Sequence, residues 1–202
     1  MKFLRKVKFT IAAVFIVLAA CSNCFAAVLN YGGDFNLPIP ANPGETKGWM
    51  DDAVINIADH YVIADIDVAL TITHGKAFDL QLYLQSPAGT RICLNMYDPG
   101  TGFFNGENYT QTIFDDEAGV PIEQAAVPFT GRFRPLQPYH LASFDGEDIF
   151  GEWKLQVYDA YLADKGTLNN FELIITPIPE PNTILLLAGG MLLTKLLNSH
   201  RH

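Results

Sequence analysis

Between residues 53 and 176, apolar and polar positions alternate with a period of two along a series of short runs. In Ile66-Asp67-Val68-Ala69-Leu70-Thr71-Ile72-Thr73 the branched apolar residues share one face and polar or small residues take the other. Leu80, Leu82 and Leu84 alternate with Gln81, Tyr83 and Gln85. Trp153, Leu155 and Val157 alternate with Lys154, Gln156 and Tyr158, and Phe171, Leu173 and Ile175 with Glu172 and Ile174. A run of this kind buries one face and wets the other, which predicts antiparallel strands laid over a core.

Turn residues punctuate the runs at Thr73-His74-Gly75, Ser86-Pro87-Ala88-Gly89, Asp98-Pro99-Gly100 and Asp164-Lys165-Gly166. No stretch of the body keeps a helical period for three turns, and no internal repeat suggests a solenoid or propeller. The pattern predicts an all-β fold: a single antiparallel β-sandwich of the jelly-roll kind over 53–176, preceded by a lead-in at 27–52. Trp153 is its largest predicted inward side chain and marks the expected centre.

The two ends read as addresses. Residues 1–26 carry a basic stretch (Lys2, Arg5, Lys6, Lys8), an apolar run from Ile11 to Ala20 and small residues offering cleavage after Ala26 or Ala27. That is the plan of a signal peptide. Leu18-Ala19-Ala20-Cys21 leaves a lipoprotein signal open as the alternative. At the other end, 177–202, the triplet Pro179-Glu180-Pro181 leads into the apolar run Ile184 to Leu193, then Lys195 and a tail with Arg201. This short apolar helix falls at or below the ~17–20 residues that span a bilayer.

Charge narrows the partners. All twenty-two acids lie between Asp34 and Glu180, alongside seven bases, a net of −15 for the middle of the chain. Such a surface repels phosphate backbones and excludes nucleic acid as a natural partner. Cysteine adds little: beyond Cys21 and Cys24 the body holds Cys93 alone, inside the strand-like Arg91-Ile92-Cys93-Leu94-Asn95, and a buried, inert thiol is expected.

Catalytic machinery is not legible. After the leader the serines are Ser86 in a turn, Ser143, and Ser199 beyond the apolar helix, none in a nucleophile-elbow context. His60, His74 and His140 are the histidines of the body that could act as a base, with His74 at a strand end expected to be structural. Clustered acids on loops suit calcium, which takes several oxygen ligands. Such loops are Asp115-Asp116-Glu117, Asp145-Gly146-Glu147-Asp148 and Asp159 to Asp164, with Asp79 at a strand start; Asp79, Asp115, Asp116 and Asp159 are the candidate ligands, and no EF-hand spacing is present. Asn108-Tyr109-Thr110 is a formal glycosylation sequon.

Read in order, the runs resemble the P domain (Homo B), the β-sandwich that follows the catalytic domain in kexin- and furin-like subtilases. The resemblance rests on Val68 to His74, Phe78-Asp79-Leu80-Gln81-Leu82-Tyr83-Leu84-Gln85-Ser86-Pro87-Ala88-Gly89-Thr90, Gly106 to Ala118 and Pro128 to Gly131. It closes with Gly151-Glu152-Trp153-Lys154-Leu155-Gln156-Val157-Tyr158-Asp159 and Gly166 to Leu173, where Phe171 replaces a more usual tryptophan. It implies a non-catalytic module with calcium as a possible cofactor. No separate Asp, His and Ser motifs of a subtilase accompany it. The C-terminal arrangement resembles the PEP-CTERM sorting signal of Gram-negative bacteria, which implies an exosortase-type processing enzyme and residence in the envelope, at the surface or in the exopolysaccharide matrix. The membrane is then engaged through the C-terminal helix before processing. Two further roles stay open. One is an accessory domain of a separate subtilisin-like serine endopeptidase. The other is a module holding cell-surface polysaccharide on loop aromatics such as Tyr97, Phe103, Phe104, Tyr139 and Tyr161.

Overall fold

The structure is a computed structural model and describes residues 27–96, 106–162 and 164–179. The expected signal peptide, the apolar C-terminal run, and Glu180 and Pro181 of the sorting triplet lie outside the described residues.

Among the described residues ten strands form two sheets: β1 (Leu29–Ile39), β2 (Gly48–Trp49), β3 (Ala53–Ile57), β4 (Ile63–His74), β5 (Leu80–Gln85), β6 (Arg91–Asn95), β7 (Tyr109–Phe114), β8 (Phe129–Phe133), β9 (Gly151–Asp159) and β10 (Gly166–Pro177). The first sheet runs β1-β10-β4-β7-β8. The second runs β2-β9-β5-β6, with β3 also paired to β9. The inner faces meet in one core, so the expected β-sandwich is what the chain forms. Ile66, Val68, Leu70 and Ile72 of β4 and Phe171, Leu173 and Ile175 of β10 face Leu80, Leu82 and Leu84 of β5 and Trp153, Leu155 and Val157 of β9, all at most 1% exposed. Each such aliphatic or aromatic side chain contributes about 1.5–3 kcal/mol by leaving water, which is why the period-two pattern decides the register.

Two features depart from the sequence reading. The sandwich begins at Leu29, not at Ala53, because β1 pairs along β10 from Leu29↔Ile175 to Ile39↔Gly166. Along β1 Leu29, Tyr31, Phe35, Leu37 and Ile39 turn inward between exposed residues, Gly33 leaves one inward position without a side chain, and Pro38 suits an edge strand. In addition, β7 and β8 are parallel in sheets otherwise antiparallel.

Local chemistry fixes the turns and bulges. The Ser86–Thr90 hairpin closes with Gly89 N–H donating to Ser86 O (3.0 Å) and Ser86 N–H to Thr90 O (2.9 Å), and Gly89 supplies the φ of +93°. A register shift between Leu168 and Asn170 turns both Leu168 and Phe171 inward. Asn169 Oδ1 there accepts from Thr73 N–H (3.1 Å) and Thr73 Oγ1 (2.9 Å). Cys93 is 2% exposed, and burial pushes its thiol up to about 11, so it packs as a small apolar side chain.

Candidate functional site

The four carboxylates singled out for calcium fall into two separate places. Asp159 ends β9 and stands beside Leu80, the first residue of β5, so pairing of those strands brings it next to Asp79. Asp164 and Lys76 complete this group. Asp115 and Asp116 follow β7 and sit with Arg132 of β8 and with the 3-10 turn Leu141–Phe144.

In the first group His74, the last residue of β4, is 1% exposed and Asp159 fully buried. His74 Nε2 lies 3.2 Å from Asp159 Oδ2, an acceptor, so Nε2 carries the proton and donates it. Nδ1 sits against the backbone of Lys76, 3.1 Å from its nitrogen and 2.9 Å from its oxygen. The second oxygen of Asp159 accepts from Tyr161 N–H at 3.1 Å. Asn108 holds the strand end: its Oδ1 accepts from His74 N–H (2.9 Å) and its own N–H donates to His74 O (3.1 Å). The asparagine of the formal sequon is therefore a structural clamp. Gly166 makes the close approach possible, since a Cβ there would lie 2.5 Å from both His74 Cδ2 and Thr73 O. Among the described residues none of the hydrogen bonds to His74 comes from a serine.

Asp79 keeps its Oδ2 buried without a hydrogen-bond partner among the described residues, and desolvation raises its pKa against the pull of Lys76. Lys76 Nζ makes an ion pair of 3.2 Å with Asp164, which raises the lysine's pKa. A lysine ammonium thus faces the carboxylates that a cation would need, while Asp159 is engaged by His74 and Tyr161. Among the described residues no group of three or more His, Cys, Asp or Glu side chains is placed to hold a metal ion. The donors at hand do not fit a calcium shell of several free oxygens.

In the second group Arg132 Nη1 bridges Asp115 (2.6 Å) and Asp67 of β4 (2.8 Å). The two acids answer oppositely. Burial is the largest influence on Asp67 and raises its pKa, although Arg132 pulls the other way. Burial also acts to raise Asp115, but the Arg132 bond and the Glu117 N–H at 2.7 Å outweigh it and hold Asp115 below its ordinary value. Asp116 accepts from Leu141 N–H (3.0 Å) and Ala142 N–H (2.8 Å), tying down the turn that carries Ser143. Both acids are committed to the scaffold.

The signs give a prediction. Asp115, with a depressed folded pKa, stabilises above its unfolded value near ~3.9 and loses that contribution as pH falls through the folded value. Asp67, with a raised pKa, costs stability when charged and returns it on protonation. Asp67→Asn is therefore expected to leave the melting temperature at pH 7 unchanged or higher, and to steepen its fall toward pH 3. Arg132→Met leaves two carboxylates facing each other and should cost about 2–3 kcal/mol, below the ~3–5 for a fully buried pair because Arg132 is half exposed. Adding Asp67→Asn should recover part of that loss. Urea titrations at pH 7 and pH 4 check both; equal losses in the single and double variants would break the argument.

The other candidates are dispersed. His60 is exposed, stacked on Phe150 at 4.3 Å, with Nδ1 2.8 Å from Asp148. His140 is exposed ahead of the 3-10 turn, and Tyr139 and Tyr161 are exposed loop residues. Tyr97, Phe103 and Phe104 lie outside the described residues.

The sequence was missing one grouping altogether. On the outer face of the second sheet Trp49 of β2 lies opposite Tyr158 of β9, ring centroids 4.9 Å apart, and 6.2 Å from Tyr83 of β5. Arg91 of β6 sits over the Tyr83 ring at 3.7 Å. The polar positions of the alternating runs carried this signal, but Trp49 lay in the lead-in and outside the expected sandwich.

Comparison with known proteins bears on the fold. No curated protein matches the sequence. Among solved structures the chain is similar to a serine protease of Aeromonas sobria at 20% identity and a TM-score of 0.44, over 80% of this chain and 29% of that one. It is similar to the same protease in complex with its chaperone at 19% identity and a TM-score of 0.43, over 81% and 29%. The chain thus spans under a third of those proteases, and likenesses at this level leave the function open. The family model named proprotein convertase P-domain matches residues 124–175, which hold β8, β9 and nearly all of β10. Over residues 124–175 the chain is similar to the proprotein convertase P-domain, in line with the resemblance read along its strands.

Proposed function

We propose that the chain is an exported, non-catalytic P-domain module that serves in binding or structural support at the cell surface or in its matrix. The observation that carries this is the commitment of His74, Asp115 and Asp116 to the scaffold. His74 is locked between Asp159 and the Lys76 backbone, and Asp115 and Asp116 are held by Arg132 and by backbone N–H groups. A group held on every side by structural partners cannot swing to a substrate proton. The P-domain assignment supports a second reading, an accessory part for a separate subtilisin-like endopeptidase. On either reading Pro179-Glu180-Pro181 and the apolar run beyond it are a sorting handle, removed by an exosortase-type enzyme after transient membrane association.

One experiment reads these parts together: capture of the native protein from its cell envelope, with mass spectrometry of both its partners and its own termini. The purified protein is expected to hydrolyse no peptide or ester, to lack the region from about Pro181 onward, and to lose that processing when Glu180 is changed to Ala. Stoichiometric recovery with a subtilase would establish the accessory role. Turnover lost on substituting Ser143 or His140 would refute the non-catalytic reading, and an intact His202 on the surface-localised protein would make the C-terminal segment a plain anchor.

A further inference from the structure

The outer face of the second sheet gathers aromatic rings, amides and paired charges. Trp49, 49% exposed, leans on Tyr158 and Tyr83, so three rings run across β2, β9 and β5. Around them stand the amides and ions of the same face. Arg91 Nε donates to Gln156 Oε1 (2.8 Å), Gln156 Nε2 donates to Asp52 Oδ1 (3.3 Å), and Tyr83 OH donates to Gln81 Oε1 (3.1 Å). Lys154 is 3.9 Å from Asp52 and 3.8 Å from Glu152. Two bases and two acids thus balance on this face, in a chain whose middle carries a net of −15.

We propose that this face binds a neutral polysaccharide, its sugar rings stacked on Trp49 and Tyr158 and its hydroxyls met by Gln81, Gln156, Asp52 and Arg91, the last stacked on Tyr83 at the border of the platform. This rests on the non-catalytic binding role above and names its ligand class. A pyranose presents apolar C–H groups on its faces and hydroxyls around its edge. It therefore needs an aromatic surface bordered by donors and acceptors, and both are supplied here by rigid strands. The charge balance chooses among ligands: the acidic domain repels a polyanion, while a neutral chain meets no field at this face. The charge-depleted core of a protein interface is lacking, since the outward positions beside the rings hold Glu152, Lys154 and glutamines. The rings lie side by side on neighbouring strands, so an extended chain can engage them in sequence.

The test is native affinity electrophoresis of the full chain in gels holding hydroxyethyl cellulose, dextran, soluble xylan or, as the anionic control, alginate. Retardation by at least one neutral glycan and none by alginate is expected. Trp49→Ala and Tyr158→Ala should each weaken the interaction about tenfold or more, the size of losing a central aromatic anchor. Trp49 is half exposed, so its variant should melt with the parent; Tyr61→Ala, an exposed aromatic elsewhere, should bind as the parent does. No retardation by any neutral glycan, or retardation indifferent to both variants, would overturn the proposal. So would loss of a co-purifying envelope protein in Trp49→Ala without glycan binding, which would make the face a protein-docking surface. New reducing ends released from a bound glycan would instead sink the non-catalytic reading and leave the binding face standing.

Discussion

Trp153→Ala is expected to cost about 3–5 kcal/mol of folding free energy, a large part of the ~5–15 that holds a domain of this size together. Trp153 is fully buried in β9, opposite Ile55 of β3 and one residue beyond the end of the β5 pairing, and meets Phe144 edge-on at 5.2 Å. Its Nε1–H donates to Ile149 O at 2.9 Å, so alanine removes both the largest side chain of the core and the partner of a buried carbonyl. Strands on both sides hold the backbone, so the cavity cannot collapse fully. Trp153→Phe keeps the ring against Phe144 and loses the N–H, and about 1–2 kcal/mol is expected. Urea unfolding separates the cases, with an unchanged slope and a lowered midpoint for both. The chain has two tryptophans, and Trp49 is half exposed, so loss of the blue-shifted emission identifies Trp153 as the buried one. A midpoint for Trp153→Ala within error of the parent would move the centre of the core elsewhere.

How far the sequence could be read follows from what kind of interaction it encodes. Trp153, Phe171 and the leucines of β5 were legible because burial of alternate residues needs no partner to be known. The hairpin at Ser86–Thr90 was legible because Pro87 and Gly89 carry their own backbone geometry. His74 was rightly placed as structural, from its position at a strand end. The calcium candidates show where such reading stops: a run of acids looks the same whether its oxygens face a cation, an arginine or a backbone N–H. The answers came from residues distant in the chain, since Arg132 reaches back to Asp67, His74 forward to Asp159, and Asp116 forward to Leu141. The start of the sandwich was hidden for a related reason. β1 is an edge strand whose inward row is only partly buried and is interrupted by Gly33, and starting the sandwich at Ala53 also left out Trp49 of β2 and the aromatic face.

Asp159→Ala is expected to be about as damaging as the tryptophan change, near 3–5 kcal/mol, because the shared acceptor of two donors is removed and each buried donor left unpaired costs about 1–3 kcal/mol. His74 Nε2–H would face a void, Tyr161 N–H would lose its acceptor, and the end of β9 would lose its tie to the end of β4 across the two sheets. Asp159→Asn keeps a carbonyl oxygen for one of these donors and the shape of the side chain, so about 1–2 kcal/mol is expected, the difference between a charged and a neutral acceptor. His74→Ala strands the carboxylate instead, beside Asp79 and Asp164 with Lys76 as the cation nearby. A double-mutant cycle between His74→Ala and Asp159→Ala should then show the second change costing far less than the first, with a coupling of about 1.5 kcal/mol or more. Losses that simply add, to within ~0.5 kcal/mol, would show that the two side chains act independently. In that case the commitment of His74 to the scaffold would lose its support, and its imidazole would have to be considered again as a group free to work.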